Sequence, residues 1–512
     1  MKALSVGLAT LLALGCDGRS ATAPAPEPSK SDAGADLIAL APGNVVEVVV
    51  ASDRAAARIE TRSGTEQYIA VIASTKFDSS SSTFSYSLST ERVDQPTGSR
   101  TESGCAITAD DFRNTLVPVE PEPTGTPLPV GTTRSLQVSV GTKTETITAE
   151  VAAVSTRAIV WKDVTPSHPA TLDTAFINDF VADFDKTILP RERSVFGNES
   201  DIDGDGRIGL VFTPLTKDSA VAFFLGCDIA KLEGCPSGNK GEYLYLTPPS
   251  DIAPPYNTAA AIKEILAHEL GHLIHYNRKV VRNALQVWPD SSYMIEGFGG
   301  FAQDVIGYQA GNFYVAQAGL NEIDGFSLAD VFGNVTKYDK TRDGLLRGGA
   351  YLFVRYIYDL AGGDRALESG SIEGLGGTAL LRKVLDDPKS VSAAMPLTAN
   401  KTLADLALDF YTALAMSNGE ASGRAAPSNG CFSYLKTQTD PITGKQRGAD
   451  LFAAFHGQKL QGPALQATAD GKLRAGGVEY VTIDATADRS ELGITITADA
   501  GAAMRVRIAR IR

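Results

Sequence analysis

Residues 268 to 272 read His-Glu-Leu-Gly-His, and they take up two of the chain's five histidines. On a helix, positions i and i+4 share a face, with Cβ atoms about 5–6 Å apart. His268 and His272 can therefore turn imidazole nitrogens toward one small cation. Glu269 follows the first histidine directly and can reach a water on that cation. An HExxH pattern on a helix pairs a metal-activated water with a carboxylate base, the chemistry of metal-assisted hydrolysis. The expected ion is Zn2+, with His268 and His272 as ligands and Glu269 as the catalytic base.

A catalytic zinc takes three protein ligands and keeps one position open. A third histidine of the HExxHxxGxxH kind is absent, because His275 stands where that pattern needs Gly and Arg278 where it needs His. Downstream runs Ser-Ser-Tyr-Met-Ile-Glu-Gly-Phe-Gly-Gly-Phe-Ala-Gln-Asp (291–304). Glu296 lies in an otherwise apolar stretch, where a buried carboxylate needs a cationic partner. It is the favoured third ligand, and Asp290 and Asp304 are the alternatives. Gly297, Gly299 and Gly300 crowd the same segment. Each weakens a helix by about 1 kcal/mol relative to Ala, unless the glycines let it pack closely on the motif helix. His275 reads as a core or surface histidine, or as a hydrogen-bond partner of the ligands. A donor to the reacting carbonyl would come from Tyr293, Tyr308, Tyr351, Tyr356 or Tyr358, and sequence does not choose among them.

A second acidic motif, Asp201-Ile-Asp-Gly-Asp-Gly-Arg-Ile, places Asp201, Asp203 and Asp205 at alternate positions before a Gly. This matches the first half of a calcium loop. Position twelve is Phe212 rather than Glu, so it is not a full EF-hand. The readings are a Ca2+-stabilised loop or an Asp/Gly turn whose side chains cap the backbone.

The elements that must position these residues follow from periodicity. The motif falls in a long helix over 256–276, with Asn257 or Thr258 as its cap. Ile262, Ile265, Leu266, Leu270, Leu273 and Ile274 cover more than one face, as in a buried helix. Further helices are expected over 171–188, 351–360 and 403–416. Alternating or β-branched runs predict strands over 45–50, 68–74, 83–89, 134–140 and 144–152, and again over 479–485, 492–498 and 504–511. The expected organisation is α+β, with a β domain over 43–150, a catalytic domain over 151–455 and a second β domain over 456–512. The flanking domains are read as β-sandwiches.

The first sixteen residues form an export signal: Lys2, an apolar run over 3–14, then Ala13-Leu14-Gly15-Cys16. That ending resembles a lipobox with Cys16 as the lipidation site, although Ala13 stands where Leu is usual, so plain secretion stays open. Residues 17–42 read as a tether. Location outside the cytoplasm, as a cell-envelope lipoprotein or an extracellular protein, suits five cysteines, for which Cys227–Cys235 and Cys105–Cys431 are the expected pairs. A net charge of −13 argues against nucleic acid as a partner. Membrane contact is expected only through the lipid.

Taken in order, Phe196-Gly-Asn-Glu-Ser-Asp-Ile-Asp-Gly-Asp-Gly, Ser237-Gly-Asn-Lys-Gly-Glu-Tyr-Leu-Tyr-Leu, His268-Glu-Leu-Gly-His-Leu-Ile-His-Tyr-Asn, Glu296-Gly and Tyr351-Leu-Phe-Val-Arg-Tyr resemble the hyicolysin family of bacterial zinc metallopeptidases. The resemblance covers about 155–420. It implies a zincin-like catalytic domain of gluzincin type, with His268, His272 and Glu296 as ligands, Glu269 as base and a protein or peptide as substrate. The competing expectations are a surface binding lipoprotein on an inactive peptidase scaffold, and a zinc hydrolase of a non-peptide substrate.

Overall fold

The computed structural model describes residues 37–512, apart from 79–81, 102–106, 108, 116, 118–119, 123, 142, 231–237, 309–319, 321–322, 334–341, 456–457 and 466–468. Cys16 and the tether up to residue 36 lie outside the described residues, as do Cys105 and Cys235 of the expected cysteine pairs. Helices and strands are mixed throughout, in keeping with an α+β class. Among the described residues no helix is long and apolar enough to cross a membrane.

One six-stranded sheet carries the candidate site. Its order is Ala222–Phe224, Tyr243–Leu246, Ile208–Phe212, Ala158–Asp163, Lys143–Val154 and Thr133–Val140. The three central strands are parallel, and Ala222–Phe224 is an antiparallel edge. Ile208–Phe212 and Tyr243–Leu246 are buried along their whole length. Covering a sheet on both faces demands such unbroken apolar runs.

The HExxH helix spans Ala259–Tyr276, and its N-cap is Thr258, whose hydroxyl accepts the Ala261 N–H. A wider turn, Asn277–Val281, prolongs it. Lys279 on that turn is fully buried and donates to the carbonyls of Val384, Asp387 and Lys389. An ammonium at these carbonyls, in the last turn of the helix Gly377–Asp386 and just past it, satisfies acceptors that the helix end leaves open. Ser292–Val305 follows, capped by Ser291 on the Met294 N–H. It packs on both Ala259–Tyr276 and Asp343–Leu360. The last of these starts eight residues before the expected 351, because Asp343 to Ala350 keep the apolar spacing through Leu345 and Leu346.

The flanking β regions depart from the expected division into three domains. Thr133–Val140 and Lys143–Val154 do not belong to an N-terminal β domain ending at 150; they extend the sheet of the candidate site. The terminal strands do not make two separate sandwiches either. Arg54–Glu60 pairs with Glu491–Ala498, and Gln67–Ser74 lies between Val478–Asp484 and Met504–Arg510. Two sheets are thus built from both ends of the chain. Period-2 alternation fixes which face of a strand is buried but leaves its partner open. Gln67–Ser74 joins this sandwich to the helical body. Tyr68, Ala70 and Ile72 enter the sandwich core, while Ile69, Val71 and Ala73 enter the larger core shared with the helices.

Candidate metal centre

The His268 and His272 rings stand at 87°, with centroids 4.5 Å apart. Ser292–Val305 brings Glu296 to them: Glu296 Oε2 lies 3.3 Å from His268 Nε2, and Oε1 lies 3.7 Å from His272 Nε2. Each carboxylate oxygen thus faces one imidazole nitrogen. Glu269 is also close, with ligand atoms of His268, Glu269 and His272 all within 4.8 Å of one another. Its Oε2 is held by the Phe224 N–H of the edge strand at 2.9 Å. That hydrogen bond turns Glu269 toward the sheet edge and leaves Glu296 as the carboxylate facing both imidazoles.

The electrostatics divide the two acids. Burial raises the Glu269 carboxyl, and the neighbouring Glu296 charge adds to it against the opposing pull of His268, bringing it to about 7. Burial also works against ionised Glu296, but the His268 hydrogen bond and the His272 and Arg347 charges outweigh it and hold Glu296 at about 2. His272 is pushed down to about 3 by burial and by the His268 charge, so it is a neutral imidazole with a free lone pair. Burial lowers His268 too, yet its hydrogen bond to Glu296 prevails and raises it. The proton between His268 and Glu296 carries a positive charge that a cation can replace, and metal ligation requires neutral imidazoles and an ionised carboxylate. The donor set is thus two nitrogens and one carboxylate, which suits zinc.

The clustered glycines have a packing reason. A Cβ on Gly299 would stand 2.5 Å from His268 Nε2, and one on Gly297 would stand 2.6 Å from the Ala350 Cβ. On the facing helix, a Cβ on Gly271 would meet the Ala302 Cβ at 2.7 Å. Ser292–Val305 can approach its two neighbours only because these positions lack side chains, which favours the close-packing reading over a weakened helix.

No family model matches the chain, and no curated protein matches it.

The other acids near the motif have different duties. Asp290 takes the His275 Nε2 contact at 3.0 Å and accepts the Val391 N–H. His275 is buried between Trp288 and Phe298, as a core histidine. Asp304 is fully buried and accepts from Arg355, the Tyr351 hydroxyl and the Gly448 N–H. Both alternative third ligands are thus engaged away from His268 and His272. Among the tyrosines considered as donors, Tyr308, Tyr356 and Tyr358 give their hydroxyls to Asp183, the Cys431 carbonyl and Asp364. Tyr351 lines the cleft, though its hydroxyl donates to Asp304.

That cleft has a volume of about 530 Å3 and runs between the edge strand and the three helices. Its lining includes two polar side chains that the sequence did not single out, Gln303 and Arg347. Arg347 Nη2 is hydrogen-bonded to Glu296 Oε2. A signal for it existed: an arginine one turn after Asp343, at the start of a largely buried helix. The edge strand left no such signal, since three residues are too few for a period.

Asp201, Asp203 and Asp205 do come together. Asp201 Oδ1 accepts the Gly206 N–H, and Asp205 Oδ1 accepts the Arg207 N–H. This capping fits an Asp/Gly turn, and the three carboxylates, with ligand atoms within 4.8 Å of one another, equally fit a Ca2+-stabilised loop, so both expectations stand.

Proposed function

We propose that the chain is an exported zinc endopeptidase, of the gluzincin type that the hyicolysin resemblance implies. The observation that carries the reading is the approach of Glu296 to both imidazole Nε2 atoms, at 3.3 and 3.7 Å, beside a separately anchored Glu269. Zinc, when bound by His268, His272 and Glu296, supplies Lewis acidity toward water and carbonyl oxygen. Glu269 takes a proton from the attacking water and returns it to the leaving amine as the C–N bond breaks. Glu269 stands beside both imidazoles, with its ligand atom within 4.8 Å of theirs, where a carboxylate can take the water proton and pass it on. Arg347 steadies the Glu296 carboxylate through its guanidinium.

The cleft supports a peptide as substrate over a small molecule. Ala222–Phe224 is the last strand of its sheet and lines the cleft with its neighbours Ala220 and Val221. Apart from the Phe224 N–H, which Glu269 takes, the outer edge of this strand can pair with an extended backbone through main-chain hydrogen bonds. Export through the 1–16 signal, with Cys16 as the lipid-bearing residue, belongs to the same proposal.

The test is a casein digest alongside metal analysis. The expected result is zinc in the purified protein, cleavage abolished by a chelator, and cleavage restored by added zinc. Zinc-loaded protein that cuts neither casein nor any unfolded protein would favour the binding lipoprotein; turnover of esters or amides alone would favour a non-peptide hydrolase.

A further inference from the structure

A second cavity, of about 630 Å3, shares no lining residue with the cleft of the metal centre. Its walls come from the prolonged end of the motif helix, from Gly377–Asp386 and from Thr115, Val117, Glu120 and Pro121. Arg278, Arg282, Arg382 and Lys383 face it, against the acids Glu120, Glu199 and Asp386. Glu199 is already committed to Arg193, whose Nε donates to it at 2.9 Å. Among the described lining residues four cations therefore face two remaining acids, an excess of two positive charges in a protein of net charge −13. Local potential, rather than overall charge, decides what such a pocket attracts.

Part of this wall already holds an anion. The Glu120 carboxylate accepts from Arg278 Nη1 at 2.6 Å and from Arg282 Nη2 at 2.6 Å. Burial opposes its charge, yet the two guanidinium groups hold it at about 2. The other half is different in kind. Arg382 Nη2 donates to the Arg193 and Ser194 carbonyls, and burial together with the Arg278 charge draws its pKa down to about 10. Lys383 beside it is exposed. Val117, Pro121 and Ala379 add an apolar wall.

We propose that this cavity binds a phosphomonoester, with the phosphate on the Arg382–Lys383 side and the organic body against the apolar wall. A phosphomonoester carries about −1.5 to −2 charge at pH 7, which matches the excess. Guanidinium groups recognise its oxygens through paired N–H donors. The volume exceeds what a bare phosphate needs and lies in the range of small-molecule sites, about 300–1,000 Å3. The phosphate could be that of a free metabolite or of a lipid headgroup; the chemistry is common to both.

The experiment is calorimetric titration with phenyl phosphate, run beside sedimentation with vesicles containing phosphatidic acid, on the full chain and on Lys383→Glu and Arg282→Glu. Both substituted side chains are at least partly exposed, so both variants should fold, which circular dichroism checks. The expected result is binding by the unaltered protein that falls about tenfold or more in each variant, with casein cleavage unchanged. Binding of phenyl phosphate assigns a soluble ligand, and binding of vesicles alone assigns a headgroup. Absence of binding in both arms, or equal binding by the folded variants, overturns the proposal.

Discussion

Glu269→Gln is expected to leave zinc bound and to remove peptide cleavage. The amide is the same size as the carboxylate, and its oxygen can still accept the Phe224 N–H that holds the side chain at 2.9 Å. His268, His272 and Glu296 are untouched, so the metal stays. What is lost is the ability to take a proton from water and hand it on. A positioned general base contributes about 10²–10⁴-fold, and the fall in kcat should be in that range with zinc content unchanged. Zinc-loaded Glu269→Gln that still turns over casein at the original rate would remove Glu269 from the mechanism.

Gly299→Ala should be nearly as damaging, although it adds one methyl group and removes no ligand. The new Cβ would sit 2.5 to 2.7 Å from three atoms of the His268 ring. Either the ring turns away or Ser292–Val305 retreats, and the second movement carries Glu296 with it. Overpacking of this kind costs about 1–3 kcal/mol. The larger effect is on geometry, because misplacing a reacting group by about 1 Å can cost about 10²-fold in rate. Zinc titration and casein turnover should both fall, the first by about tenfold and the second by about a hundredfold, while circular dichroism stays that of a folded chain. Unchanged zinc affinity in this variant would mean that the helices can separate without disturbing the ligands.

The parts of the site that were legible in sequence are those whose chemistry is written in one dimension. His268 and His272 share a helix face by spacing alone, and Glu296 stands out as an acid in an apolar run. The helix Leu403–Met416 and the strand Thr83–Ser89 are found where periodicity puts them. The rest depends on contacts between distant segments. Nothing in Gln67–Ser74 says that its neighbours lie more than four hundred residues onward. Likewise Arg347 meets Glu296 only because Gly297 lets two helices approach, and Ala222–Phe224 becomes an edge only through the order of its sheet. The three glycines show the limit well: helix propensity counted them as a weakness, whereas two of them, Gly297 and Gly299, are what the packing requires.

The most direct test is zinc binding to apo-protein before and after Glu296→Gln. Two imidazoles and one carboxylate should take up one zinc per chain in the unaltered protein. Loss of the carboxylate charge should weaken binding by about a hundredfold or more, since even partners of the ligands are worth about 10–100-fold. A folded Glu296→Gln that binds zinc as tightly as the unaltered chain would contradict the assignment of this residue and the metal centre built on it.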